Sequence, residues 1–151
     1  MAGRVRFLDE SHSVIFSDKG IQFFSTRVET SPELVSQIPI EENIRSISYA
    51  QDKVGIVTDN MEGGDPYRLR IYDREGSPVF EKSFNYQYTG FDIDGDLILL
   101  YNDSSCKVYN MTGTEKYNGT FDFTVSKVSA GRFPGTLLVM GPQKMTEIKL
   151  Q

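Results

Sequence analysis

Apolar and polar residues alternate in short runs along nearly the whole chain. The runs are separated by turn pairs such as Asp18-Lys19-Gly20, Glu75-Gly76, Asp94-Gly95, Thr112-Gly113 and Asn118-Gly119. Period-two alternation places successive side chains on opposite faces of a strand, and Asp-Gly or Asn-Gly pairs reverse the chain between strands. Helical periodicity is nearly absent. Thr30 to Ser36 carries Pro32 and Glu33 in the manner of a helix start, but Leu34-Val35-Ser36-Gln37-Ile38-Pro39-Ile40 alternates and predicts a turn leading into a strand.

One hairpin is written twice. Ile71-Tyr72-Asp73-Arg74-Glu75-Gly76 recurs as Val108-Tyr109-Asn110-Met111-Thr112-Gly113, each time between two strand-like runs. The recurrence sets a period of about 40 residues, the length of one four-stranded propeller blade. The expected units are approximately 4–40, 44–86, 88–122 and 125–151, in one domain over 1–151. The fold class is all-β and propeller-like, with about four repeats of antiparallel four-stranded blades. The last is incomplete, with strands at Lys127 to Ala130, Thr136 to Met140 and Thr146 to Leu150. Second strands such as Leu97-Ile98-Leu99-Leu100 are continuously apolar, as suits burial on both faces. Fourth strands such as Phe80-Glu81-Lys82-Ser83-Phe84 carry charge, as suits an outer edge. Closed propellers use four to eight blades, so three complete units and a partial one call for further blades or a second copy to complete a ring.

The apolar-Tyr-Asp-x-x-Gly motif, the repeat period and the closing Thr146-Glu147-Ile148-Lys149-Leu150 resemble the C-terminal half of an uncharacterised clostridial family of WD-repeat-like β-propellers. That resemblance implies an extracytoplasmic, membrane-anchored setting, although no anchor stands in this chain. The chain departs from true WD repeats in having no Trp, and it also lacks their Gly-His pair. No catalytic residues are defined for that family, so none is carried over.

Composition narrows the function classes. Hydrophobic residues make up 38%, charged residues 25% and aromatics 12% of 151 residues, which is a folded chain rather than a disordered one. No apolar run approaches the ~20 residues of a membrane span. The net charge of −5 and scattered basic residues argue against a nucleic-acid partner. Arg4/Arg6 and Arg68/Arg70 fall at strand spacing and would give only small basic spots. The single cysteine, Cys106, reads as a packing residue.

Candidate chemistry is sparse. Asp92-Ile93-Asp94-Gly95-Asp96 alternates carboxylates around a glycine, and Asp92, Asp94 and Asp96 are the residues that could wrap Ca²⁺. The competing and favoured reading is a tight Asp-Gly hairpin. No other cofactor is expected. The loop from Asp59 to Pro66 is acidic, Gly-rich and long for a hairpin. Its Asp59, Glu62 and Asp65 are candidates for binding, against a solvated insertion. Tyr86 and Tyr88 stand at the junction where the third unit starts and are binding candidates if they face solvent. His12 has Asp9, Glu10, Ser11 and Ser13 beside it, the residue types of a catalytic relay, in what reads as a strand connection.

The expectation is therefore a non-enzymatic binding or scaffold domain with a protein or glycan ligand. The alternatives are a glycan-active enzyme of propeller type and a purely structural half-propeller. An enzyme of that type needs two carboxylates set across a cleft, and nothing in the sequence pairs them.

Overall fold

The computed structural model describes residues 4–17, 20–26, 31–50 and 52–150. The expected turn at Asp18-Lys19 and Thr30, which opens the Thr30 to Ser36 run, lie outside them. Every regular element among the described residues is a strand. Among the described residues, no helix is long and apolar enough to cross a membrane, which says nothing of strand-built membrane barrels.

The strands form four antiparallel sheets, each a simple meander in chain order. The first holds β1 (Arg4–Phe7), β2 (His12–Ser17), β3 (Gly20–Ser25) and β4 (Glu33–Pro39). The second holds β5 (Ile44–Tyr49), β6 (Lys53–Asp59), β7 (Tyr67–Asp73) and β8 (Pro78–Phe84). The third holds β9 (Gly90–Asp94), β10 (Leu97–Tyr101), β11 (Ser105–Asn110) and β12 (Glu115–Thr120). The fourth has three strands, β13 (Lys127–Ala130), β14 (Thr136–Met140) and β15 (Met145–Lys149). Consecutive strands joined by short turns pair with each other because the turn brings their backbones together at the lowest loop-closure cost.

Two compact units divide the chain, Met1–Asn85 and Tyr86–Gln151. In the first unit, Val14 and Phe16 of β2 with Ile21 and Phe23 of β3 pack on Val54 and Ile56 of β6 and on Tyr72 of β7. Phe16 meets Tyr49 edge-on at 5.9 Å, and Phe23 lies 6.1 Å from Tyr72. In the second unit, Leu99, Cys106 and Val108 of the third sheet pack on Val128, Leu137 and Val139 of the fourth. Each fully buried aliphatic side chain contributes about 1.5–3 kcal/mol.

Burial follows the apolar pattern. The middle strands β6 and β10 are buried along both faces, whereas β4, β8 and β12 are largely exposed. Arg4 and Arg6 do not form a basic spot alone, because the Arg6 guanidinium lies 4.7 Å above the Tyr49 ring.

The repeated hairpin has one geometry in both places. Asp73 Oδ1 accepts the backbone N–H groups of Glu75 and Ser77, both at 2.9 Å. Asn110 Oδ1 accepts those of Thr112 and Thr114 at 3.0 and 2.9 Å. Gly76 and Gly113 each donate to the carbonyl three residues earlier at 3.1 Å, with φ of 87° and 88°. A register shift falls at Ile71/Tyr72 in one copy and at Val108/Tyr109 in the other. Both tyrosines are buried. An acceptor side chain that ties down two turn amides, followed by a residue free to take positive φ, accounts for the motif as architecture.

Candidate functional site

The loop from Asn60 to Pro66 closes as an extended turn between β6 and β7. Asn60 N–H donates to the Pro66 carbonyl at 2.9 Å, and the Asn60 amide donates to the Asp65 and Gly63 carbonyls. Gly63 and Gly64 take φ of 84° and 80°, the left-handed region that glycine occupies without strain. This loop and the neighbouring strand ends enclose an open polar cleft of about 470 Å³, lined by Asn60, Glu62, Gly63, Arg68, Glu81, Lys82 and Ser83.

Each of the three loop carboxylates holds a partner. Asp59 accepts from Arg45 Nε at 2.6 Å, Glu62 stands 3.4 Å from Arg68, and Asp65 accepts from the Ser83 hydroxyl at 3.1 Å. Arg68 also pairs with Glu81, whose carboxylate lies 4.0 Å from Arg70 Nε. Arg70 in turn reaches Glu42 at 2.9 Å. The array Glu62–Arg68–Glu81–Arg70–Glu42 thus alternates in sign across one face of the second sheet. Arg68 and Arg70 share that face because they are two residues apart on β7, and Glu81 sits opposite Arg70 in the β7–β8 register. The basic spot expected at Arg68/Arg70 is therefore neutralised by carboxylates. Glu42 is pushed up by burial, but its own backbone N–H and Arg70 outweigh that and hold its carboxyl below the usual range. Glu42 Oε2, Arg70 Nε and Thr58 Oγ1 are buried without a hydrogen-bond partner. The end of the array away from the cleft is thus incompletely satisfied.

Tyr86 and Tyr88 are both half-buried rather than exposed. The Tyr86 hydroxyl bonds Ser105 Oγ at 2.7 Å, and Lys107 Nζ stands 5.7 Å from its ring centroid. Burial raises the Tyr86 phenol above its usual range. Both tyrosines lie in the second unit.

Asp92, Asp94 and Asp96 occupy the end of β9 and its hairpin to β10. Gly95 takes φ of 59° in the turn, as an Asp-Gly hairpin requires. Asp94 Oδ2 accepts the Ala130 N–H at 3.1 Å, and Asp92 faces Lys127 Nζ at 3.9 Å. Asp96 is exposed. Two of the three carboxylates therefore join the third sheet to the first strand of the fourth. Among the described residues, no three His, Cys, Asp or Glu side chains are grouped so that they could hold a metal ion.

His12 opens β2 instead of lying in the connection. Its Nδ1 lies 2.9 Å from Asp9 Oδ1 and 3.0 Å from Ser11 Oγ. A nucleophilic relay needs the acid on one ring nitrogen and the hydroxyl on the other. Here both meet the same nitrogen, so the cluster does not form a relay. Asp9 also accepts from Arg74 at 2.7 Å, which ties this turn to the β7–β8 turn. Sequence reasoning missed this tie and the Arg68–Glu81–Arg70–Glu42 array. Alternation alone would have placed Arg68 and Arg70 together, but the partner strands' register was needed to add the carboxylates.

Four meanders in chain order define an all-β, propeller-like protein with a polar cleft beside a structured loop. A family model described as a family of unknown function, DUF5711, matches residues 1–150, and the chain belongs to that family. No curated protein matches this sequence. Among solved structures it is similar to the WD40 β-propeller domain of Doa1, with a TM-score of 0.56 and 13% identity over 96% of this chain and 50% of that one. It is similar to Kluyveromyces lactis Hsv2, with a TM-score of 0.57 and 10% identity over 99% of this chain and 47% of that one. BamB from Moraxella catarrhalis aligns with a TM-score of 0.50 and 12% identity over 92% of this chain and 40% of that one. At such identities the likeness is one of fold. The chain spans about half the length of these propellers or less.

Proposed function

We propose that the chain is a non-enzymatic binding or scaffold domain that holds a protein or glycan ligand at the cleft beside the Asn60 to Pro66 loop. The cleft carries the reading: about 470 Å³ of open space lined by donors and acceptors of both signs, on a rigid sheet. The extracytoplasmic setting belongs to the same proposal and rests on the family resemblance of the repeat motif.

The test uses the full chain against two probe sets, a glycan array and fluorescently labelled peptides of mixed charge. The reading expects at least one specific ligand whose affinity falls tenfold or more in a Lys82→Ala/Glu62→Gln double variant and is unchanged in Phe133→Ser, an exposed position in the other unit. A ligand unaffected by the double variant, or a glycan cleaved on incubation, would overturn it.

A further inference from the structure

Glu81, Lys82 and Ser83 are consecutive residues of β8, and all three line the cleft beside the Asn60 to Pro66 loop. Successive side chains of a strand point to opposite faces of the sheet. A cleft that touches three in succession therefore runs along the backbone of the strand rather than over one face. β8 is the last strand of the second sheet and pairs with β7 alone among the described strands. Its outer edge carries a row of N–H and C=O groups of the kind that takes up a further strand. Gly63, which also lines the cleft, has nothing within 4 Å of an added Cβ, so no atom crowds the approach on the loop side.

The side chains beside this edge select what it takes. Arg68 and Arg70 share one face with Ser83 and Glu81, their partners in the β7–β8 register. On that face the carboxylates stand outermost: Glu62 is 77% and Glu81 49% exposed, against 27% for Arg68 and 11% for Arg70. Arg68 is shared between Glu81 and Glu62, the latter at 3.4 Å, while Arg70 is held by Glu42 at 2.9 Å. Two guanidinium groups thus serve three carboxylates, and Glu62 is the most exposed of them. Asp65 adds a fourth carboxylate, whose bond at 3.1 Å comes from the neutral Ser83 hydroxyl. Among the lining residues there is no aromatic ring, so a sugar would find no stacking surface here.

We infer that the ligand of this cleft is an extended basic segment of another protein, which adds a strand to β8 and sets every second side chain, Lys or Arg, against Glu62 and Glu81. The inference rests on the binding reading of the cleft and narrows it to one chemistry. Main-chain hydrogen bonds to β8 supply affinity, and the carboxylates choose the register, because a residue opposite Glu81 points to the same face. The ion pairs are exposed and each contributes little alone, so binding weakens as salt rises.

Fluorescence anisotropy on the full chain tests this with a labelled peptide of alternating Lys and Thr, seven residues long like β8. An alternating Glu and Thr peptide of the same length, and two forms of the basic peptide N-methylated on one or the other set of alternate amides, complete the probes. The basic peptide is expected to bind at least tenfold tighter than the acidic one. Glu62→Lys, at an exposed loop position, should weaken it at least tenfold while keeping the wild-type circular dichroism spectrum. N-methylation of the amides that face β8 should weaken it tenfold, and N-methylation of the other set should not. A basic peptide that binds no tighter than the acidic one overturns the inference, as do two N-methylated forms that both bind like their parent. A glycan or an acidic peptide whose affinity falls in the Lys82→Ala/Glu62→Gln double variant overturns it while upholding the cleft as the binding site. Basic-peptide binding that is unchanged in Glu62→Lys overturns both.

Discussion

The Ser36 hydroxyl, on the last strand of the first sheet, donates to the Glu75 carbonyl in the turn of the second sheet at 2.7 Å. Beside it, a Cβ added to Gly76 would come within 2.0 Å of Ser36 Oγ and 2.8 Å of the Phe23 ring. The repeated turn is thus also a docking point between sheets. Its glycine is needed twice, once for a φ of 87° and once for the close approach.

Gly76→Ala should therefore cost about 2–3 kcal/mol in chemical denaturation, since backbone strain and a packing clash add. Gly95→Ala is the comparison. Gly95 has a φ of 59° and nothing within 4 Å of its added Cβ, so only strain of about 1 kcal/mol is expected. Removing the Ser36 hydroxyl in a Gly76→Ala/Ser36→Ala double variant should recover part of the loss. Equal costs at both glycines would show that the contact with Ser36 contributes nothing.

Asp73 and Asn110 perform the same task, each accepting two turn amides. Asp73→Asn should shift the unfolding midpoint little, because the third sheet already uses Asn there. Asp73→Ala leaves both amides to water and should cost about 1–2 kcal/mol. A thermal melt of the two variants side by side separates the cases.

Asp9 is one of the carboxylates through which the first unit should respond to acid. Burial pushes its carboxyl up, but the Ser11 backbone N–H, His12 and Arg74 outweigh that and hold it well below the usual carboxylate range. A carboxylate depressed in the folded state stabilises above its unfolded value and loses that contribution as pH falls through the folded one. Stability should be retained above pH ~4 and decline progressively below it. Asp9→Asn should lower stability at neutral pH and flatten the acid limb in denaturation series between neutrality and strong acid. An unchanged acid limb would count against Asp9 as the group responsible.

Cys106 is fully buried, and burial pushes its thiol up to about 12. Native protein at pH 8 should resist iodoacetamide, and denatured protein should take up one equivalent. Mass spectrometry reads the difference. Rapid native labelling would contradict the packing role.

Asp94→Ala removes the acceptor of the Ala130 N–H and should destabilise the second unit by about 1 kcal/mol, while Asp96→Ala at the exposed turn should have little effect. A melting temperature that rises with added calcium in the wild type, and no longer does so in Asp96→Ala, is the result that a cation site there requires.

Strand positions were legible in the sequence because alternation and turn pairs are local signals. Among the described residues, the strands lie within one or two residues of the alternating runs that predict them. The repeat motif was legible for the same reason, as its hydrogen bonds close within six residues. The site was less so. Asp59, Glu62 and Asp65 marked the right loop, yet nothing local shows that Arg45, Arg68 and Ser83 come to meet them. Tyr86 and Tyr88 sit at a strand entrance, where sequence alone does not separate a solvent-facing ring from one packed beside Ser105.

By itself the sequence determined the all-β class, the four-unit organisation and the turn chemistry, because each depends on residues near one another in the chain. Only the tertiary structure decided which charges neutralise each other, that Gly76 is pressed against Ser36 and Phe23, and that a cleft runs along β8. Those outcomes depend on strand register and sheet stacking, which bring together residues tens of positions apart and leave no local trace.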